Sequence, residues 1–231
     1  EMEIEKHQNK KTAYHETLKE ILSLGYSEEE YIHNNPLFNG DVNIARYLAL
    51  YEIYKQTLGL NGHIADCGMW RGSTFMYFCK LAEIFEPHSD TLVHGFDWFE
   101  GMDPGDLDAE LKQGSYAGNY ENLVKLIELQ KLDHVARLHK MDVTTELEPF
   151  MADHLSLRFK IVFVDIGTYE ADKAVVEHLW PRLVSGGVLL FDQYNCENLP
   201  GSTVSVNEIL GDVEMRTIPW SRQPTSYVVK P

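Results

Sequence analysis

Five aspartates, Asp66, Asp97, Asp142, Asp165 and Asp192, fall at or just beyond the ends of apolar runs, and Gly68 and Gly72 follow the first of them at a G-x-x-x-G spacing. The segment Ile64-Ala65-Asp66-Cys67-Gly68-Met69-Trp70-Arg71-Gly72-Ser73-Thr74 reads as a strand, a tight glycine turn and a helix N-terminus, an arrangement that receives the nucleoside half of a cofactor. An acid at the tip of the second strand, Asp97, is placed to accept from a ribose diol. Asp142, with Val143 beside it, suits the adenine amino group, which is a donor. An acid at a strand tip also caps the helix that follows, so one alone says little. Five in register say more.

The turn discriminates between cofactors. A dinucleotide site takes G-x-G-x-x-G, whose middle glycine admits the pyrophosphate, and here that position is the bulky Trp70 beside Arg71. No Gly-Lys-Ser/Thr occurs, so a phosphate loop of the P-loop kind is not present. S-adenosylmethionine (SAM) carries no phosphate and needs only a looser turn. Gly68, Met69, Arg71, Gly72, Ser73 and Thr74 are then the candidates for its methionine end, with Asp66 behind them and Trp98 a candidate to cover the adenine.

Asp165 and Asp192 end what read as adjacent central strands, which brings two carboxylates together. Such a pair repels unless one is protonated or a cation lies between them. A hard ion such as Mg²⁺ takes oxygen ligands, and Gln193 offers an amide oxygen as a third, making Asp165, Asp192 and Gln193 a candidate weak metal site. A metal there would bind an acceptor hydroxyl and lower its pKa; without one, either aspartate could serve as the base. Tyr169 and Glu170, just past Asp165, are candidates for direct chemistry or for positioning and helix capping.

These segments resemble the macrocin O-methyltransferase family, SAM-dependent sugar O-methyltransferases of natural-product biosynthesis. The resemblance runs over about residues 36–231. Asp66-Cys67-Gly68-Met69-Trp70-Arg71-Gly72 is similar to that family's E-C-G-V-x-R-G, and Asp97-Trp98-Phe99-Glu100-Gly101 to its D-S/T-F-E-G. Asp165-Ile166-Gly167-Thr168-Tyr169-Glu170 is similar to D-G-D-x-Y-E, and Gly186-Gly187 through Asp192-Gln193-Tyr194 to G-G-x-x-x-x-D-D-Y. The resemblance implies a Rossmann-like methyltransferase fold, a sugar or glycoside acceptor, and Mg²⁺ at Asp165 and Asp192. Two acids of the pattern are replaced, by Gly167 and Gln193. A relative that binds SAM without catalysis, and a nicotinamide-dependent reductase, are the competing readings.

The elements that must position these residues alternate. Strands are expected near 63–67, 92–97, 134–139, 160–165 and 188–192, and helices near 73–85, 119–131, 146–154 and 170–183, with 215–218 and 226–229 as a closing antiparallel pair. This is an α/β class chain with a mainly parallel sheet. Residues 1–60 read as an N-terminal helical extension and 61–231 as the catalytic domain. In the extension Ile44, Tyr47, Leu48 and Tyr51 recur at helical spacing after Asp41, a plausible N-cap; that stripe calls for the domain core or a homodimer or higher homo-oligomer contact.

A formal charge of −16 with no basic cluster argues against nucleic acid and anionic membrane as partners. No apolar run approaches a membrane span, and the polar Glu1–Lys6 start does not read as a signal peptide. The 3 cysteines lack C-x-x-C spacing, so a cytoplasmic protein without disulfide framework or zinc knot is expected.

Overall fold

The computed structural model describes residues 2–103, 105–108, 111–197 and 199–231, with the side chains of residues 2–11 and of residue 106 left aside. Glu1, and Pro104 in the loop after the second strand, lie outside the described residues.

Four helices precede the sheet: α1 (Met2–Leu22), α2 (Glu28–His33), α3 (Asn35–Phe38) and α4 (Asp41–Thr57). The alternating part runs β1 (His63–Cys67), α5 (Ser73–Phe85), β2 (Val93–Asp97), α6 (Tyr120–Leu129), β3 (Ala136–Lys140), α7 (Val143–Asp153), β4 (Phe159–Val164), α8 (Tyr169–Leu179), β5 (Leu183–Phe191), α9 (Pro200–Leu210) and β6 (Ser226–Val229). The sheet order is β3-β2-β1-β4-β5-β6; the first five strands are parallel and β6 pairs antiparallel with β5. This is the fold class expected from the sequence. The order reverses between β1 and β4, and the carboxyl ends there form the crevice in which such sheets bind ligands.

Alternation across the pleat divides the core. Ile64, Ile161, Phe163, Val188 and Leu190 face the layer of α4, α5 and α6, while Ala65, Cys67, Val162, Val164, Leu189 and Phe191 face α7, α8 and α9.

Several local expectations shift. The α4 N-cap is Gly40, not Asp41, and no side chain caps that end. Its buried face is Ala49, Leu50, Ile53, Tyr54 and Thr57, while Leu48 is 52% exposed, so the expected stripe is rotated because the helix docks by its second half. The Asp142 side chain accepts from Thr144 N at 2.9 Å and starts α7 three residues early. Of the closing pair only β6 is a full strand; residues 215–218 contribute one bridge, Arg216 to Tyr227. Helix α9 has no counterpart in the sequence reading.

A buried ion pair fastens α4 and α5 to β4. Lys160, with no exposed surface, donates to Glu86 Oε1 and to Thr91 Oγ1 at 3.2 Å, and lies 5.7 Å from the Tyr54 ring centre. Tyr54 Oη donates to the same Glu86.

Candidate functional site

The turn after β1 is shaped by two glycines in the left-handed region, Gly68 (φ +89°) and Gly72 (φ +83°). A Cβ on Gly68 would come within 2.3 Å of the Asp165 carbonyl oxygen, so only glycine lets the turn cross the end of β4. On Gly72 it would meet Leu123 of α6 at 2.5 Å. Gly72 therefore seats the turn against a helix. Trp70 also takes a positive φ, and the Arg71 guanidinium lies 4.6 Å from its ring centre.

Asp97 is the keystone of this turn. One carboxylate oxygen accepts from Met69 N at 2.7 Å and Trp70 N at 2.8 Å, and the other from Phe99 N at 2.6 Å. Burial raises its pKa, and the three backbone N–H groups oppose that by stabilising the anion. Trp98 beside it is half-buried and donates from Nε1 to Gly101 O at 2.5 Å. Asp66 stands inside β1, fully buried, and neither carboxyl oxygen has a hydrogen-bond partner. Burial drives its pKa well above the usual carboxylate range, the nearby Asp97 and Asp192 add to this, and Arg46 acts against it. A fully buried carboxyl with two unbonded oxygens is the kind of group a bound donor would satisfy.

Asp165 and Asp192 do converge, as expected, but a third partner joins them that the sequence reading missed. Arg46, from the first half of α4, donates from Nη2 to Asp165 Oδ2 at 2.8 Å and from Nη1 to Asp192 Oδ1. Gln193 completes the ring: its Nε2 donates to Asp165 Oδ1 at 2.8 Å and to Asp192 Oδ2 at 3.0 Å. Each of the four carboxylate oxygens thus has a donor. Burial and the neighbouring Asp192 push the Asp165 carboxyl up, with Arg46 and Gln193 pulling it back. The Arg46 guanidinium stays charged because the two carboxylates outweigh its own burial.

As arranged, these residues do not fit a divalent ion. Gln193 was expected to offer its amide oxygen as a ligand; it turns its amide nitrogen to both carboxylates, and Oε1 is buried without a partner. Among the described residues no group of three or more His, Cys, Asp or Glu side chains is disposed to hold a metal.

Other candidates are dispersed. Ser73 Oγ and Tyr47 Oη of α4 are 2.9 Å apart, and Thr74 Oγ1 accepts from Arg46 at 3.4 Å, so the start of α5 is tied to α4. Asp142 and Val143 form the first turn of α7, where Asp142 also accepts from Thr144 Oγ1 at 2.7 Å. The Tyr169 hydroxyl is turned to α9, donating to Glu208 Oε2 at 2.7 Å and accepting from Lys173, and Glu170 is exposed. Among the described residues neither is hydrogen-bonded to the acid pair. A depression of about 350 Å³ lined by His63, Glu86, Asp90 and His134 lies at the opposite, amino ends of the strands.

Comparison with known proteins adds the decisive observation. A family model described as a methyltransferase domain matches residues 65–194, more than half of the chain. The chain belongs to this methyltransferase-domain family. The matched stretch opens inside β1 and ends just past Gln193, so it contains both the glycine turn and the acid pair but not Arg46. A curated relative, the 8-demethyl-8-(2,3-dimethoxy-alpha-L-rhamnosyl)-tetracenomycin-C 4'-O-methyltransferase of Streptomyces olivaceus, is 26% identical over 144 residues, 59% of this chain and 54% of the relative. The match thus spans about half the length of that protein. Among solved structures, the calicheamicin methyltransferase CalS11 superposes with a TM-score of 0.83 at 24% identity over 94% of this chain and 91% of its own. The O-methyltransferase NovP does so with a TM-score of 0.66 at 18% identity over 84% and 83%. The two solved structures agree with the Rossmann-like methyltransferase fold, and the curated relative is by its name an O-methyltransferase of a rhamnosyl compound.

Proposed function

We propose that this chain transfers a methyl group from SAM to a hydroxyl of a sugar or similarly hydroxylated small molecule. The observation that carries the reading is an adjacency. The glycine turn of a methyltransferase domain runs directly over the end of β4, with no room for a Cβ between Gly68 and the Asp165 carbonyl. A methyl donor in the turn would therefore lie beside the carboxylate pair.

Bound SAM supplies an electrophilic methyl on sulfur. Gly68, Met69, Arg71, Gly72, Ser73 and Thr74 hold its amino-acid end, and the unbonded carboxyl of Asp66 is the partner for its ammonium. Asp97 keeps the turn in shape and offers its remaining lone pairs to the ribose, with Asp142, Val143 and Trp98 around the adenine. Asp165 is the base that takes the acceptor proton: it is more exposed than Asp192 (23% against 4%), and burial raises its pKa, which favours its protonated form. Gln193 Oε1 is unbonded and buried, facing Gly167 and 3.6 Å from where a Cβ there would stand. Much of the rate then comes from alignment, since methyl transfer is an in-line displacement. The expected Mg²⁺ has no step here.

The N-terminal helices cover the site through Arg46 and Tyr47 and provide a homo-oligomer contact through the exposed Ile32, Leu37 and Leu48. The 3 free cysteines suit a reducing cytoplasm. The test is conversion of SAM to S-adenosylhomocysteine over a panel of rhamnosides and other glycosides, with calorimetric SAM binding alongside. Binding with turnover on a glycoside supports the reading. Binding without turnover on any hydroxylated acceptor points to a non-catalytic SAM-binding relative, and no binding removes the reading.

A further inference from the structure

We propose that Arg46 is the resident cation of the carboxylate pair, standing where a divalent ion would otherwise lie between Asp165 and Asp192, so that the site operates without a metal. The proposal uses the methyl-transfer reading only for what the site is for; its structural content is independent of it.

Two observations carry it. The first is saturation. Arg46 and Gln193 donate alternately around the pair, so that Asp165 Oδ1, Asp165 Oδ2, Asp192 Oδ1 and Asp192 Oδ2 each receive an N–H. A planar guanidinium presents two parallel N–H groups in a fixed fork, which matches carboxylates on two neighbouring strands better than a point charge does. A divalent ion added to this ring would bring +3 in all against −2, with like charges in contact. It would have to expel Arg46 and flip the Gln193 amide.

The second is anchoring. Arg46 is set on a helix whose second half is in the core, with Leu50 and Ile53 fully buried. Its guanidinium lies 5.5 Å from the Phe163 ring centre, and Nη2 also reaches Thr74 Oγ1 at 3.4 Å. Tyr47, the next residue, meets Ser73 Oγ at 2.9 Å and accepts from Tyr77 at its carbonyl at 3.0 Å. A side chain gripped at its helix, its face and its tip is already ordered for its contact, so the pairing does not have to immobilise a free arginine. Arg46 is in this sense a positioning residue: it fixes the carboxylates against each other and locks α4 across the strand tips.

Mn²⁺ binding followed by electron paramagnetic resonance tests this with no methyl donor present. The full-length wild-type chain should show no saturable Mn²⁺ site at millimolar ion, and its turnover, where found, should survive EDTA. Arg46→Met combined with Gln193→Asp should create a site at least about tenfold tighter than any in wild type, because ligand charge count tunes hard-cation affinity, and Asp165→Asn added to that double variant should abolish it. A wild-type Mn²⁺ site lost on Asp165→Asn would overturn the proposal, as would EDTA-sensitive turnover restored by Mn²⁺. Arg46→Lys, which keeps the charge, guards against an unfolded Arg46→Met: it should still exclude Mn²⁺, and Mn²⁺ binding by Arg46→Lys equal to that of the double variant would sink the idea. Failure to bind SAM would end the methyl-transfer reading and leave these ion-binding outcomes as they are.

Discussion

Replacing Asp97 by alanine should both loosen the turn after β1 and weaken SAM. Three backbone N–H groups, of Met69, Trp70 and Phe99, lose a carboxylate acceptor held at 2.7, 2.8 and 2.6 Å. Hydrogen bonds to a charged group contribute about 1.5–3 kcal/mol each. Trp70 is exposed, so water replaces its lost partner, and Met69 and Phe99 are buried and have no such recourse. Two bonds give roughly 3–6 kcal/mol, and relief from burying the carboxylate returns part of this, leaving a net loss near 2–4 kcal/mol. For a chain of this length that lowers the melting temperature by roughly 5–15 °C. Asp97→Asn keeps one oxygen and turns an NH₂ toward at least one of the three donors, so it should show about half the effect. Thermal melting of both variants, with SAM calorimetry on the folded fraction, measures the two consequences separately. An alanine variant that melts with wild type would refute the keystone role. One that melts lower yet binds SAM as before would refute the link between turn and donor; a loss of tenfold or more is expected.

Gly72→Ala should destabilise by about 2–4 kcal/mol, combining left-handed strain with a Cβ 2.5 Å from Leu123. Denaturation of Gly72→Ala with Leu123→Ala should recover the steric part only, and full additivity of the two losses would count against the packing reading. Lys160→Met leaves the partly buried Glu86 without its cation and should lose about 3 kcal/mol, most of it regained with Glu86→Gln; urea titration decides. Asp172 is buried against Ser202 Oγ, and burial lifts its pKa to about 7 against those hydrogen bonds. Because the folded pKa lies above the unfolded value, its share of stability is complete below about pH 4, is lost as pH rises to about 7 and stays lost above that. His94 and His139, lowered by burial to about 3 and about 4, run the other way: stability present above about pH 6.5 falls as pH drops. The difference in stability between wild type and Asp172→Asn, followed from pH 4 to 8, should therefore slope by up to about 4 kcal/mol and then flatten; a flat difference throughout would contradict it.

What the sequence could reveal was whatever is local. The run Ile161–Val164, buried on both faces, can hardly be anything but a central parallel strand, and Asp165 at its end follows at once. The turn was readable because Gly68 and Gly72 do a steric job that only glycine can do, although the partners that enforce it, Asp165 O and Leu123, come from elements far along the chain. Helix α9 was hidden by its own composition: Gly201, Ser202, Thr203 and Val204 have poor helix propensity, and tertiary contacts such as Gly201 N to Asp108 Oδ1 at 3.1 Å hold them. Arg46 was hidden for a different reason. It is separated from Asp165 by 119 residues and from Asp192 by 146, and a lone arginine on an amphipathic helix reads as solvated. One signal did exist, in the charges. Gly167 and Gln193 stand where the resembled pattern has acids, so the site carries less negative charge than that pattern, which weakens the hold on a divalent cation. Two carboxylates at neighbouring strand tips are still relieved by a positive charge between them or by a proton on one of them. Arg46 on the N-terminal helix supplies that charge, which makes α4 part of the site's electrostatics and not only its cover.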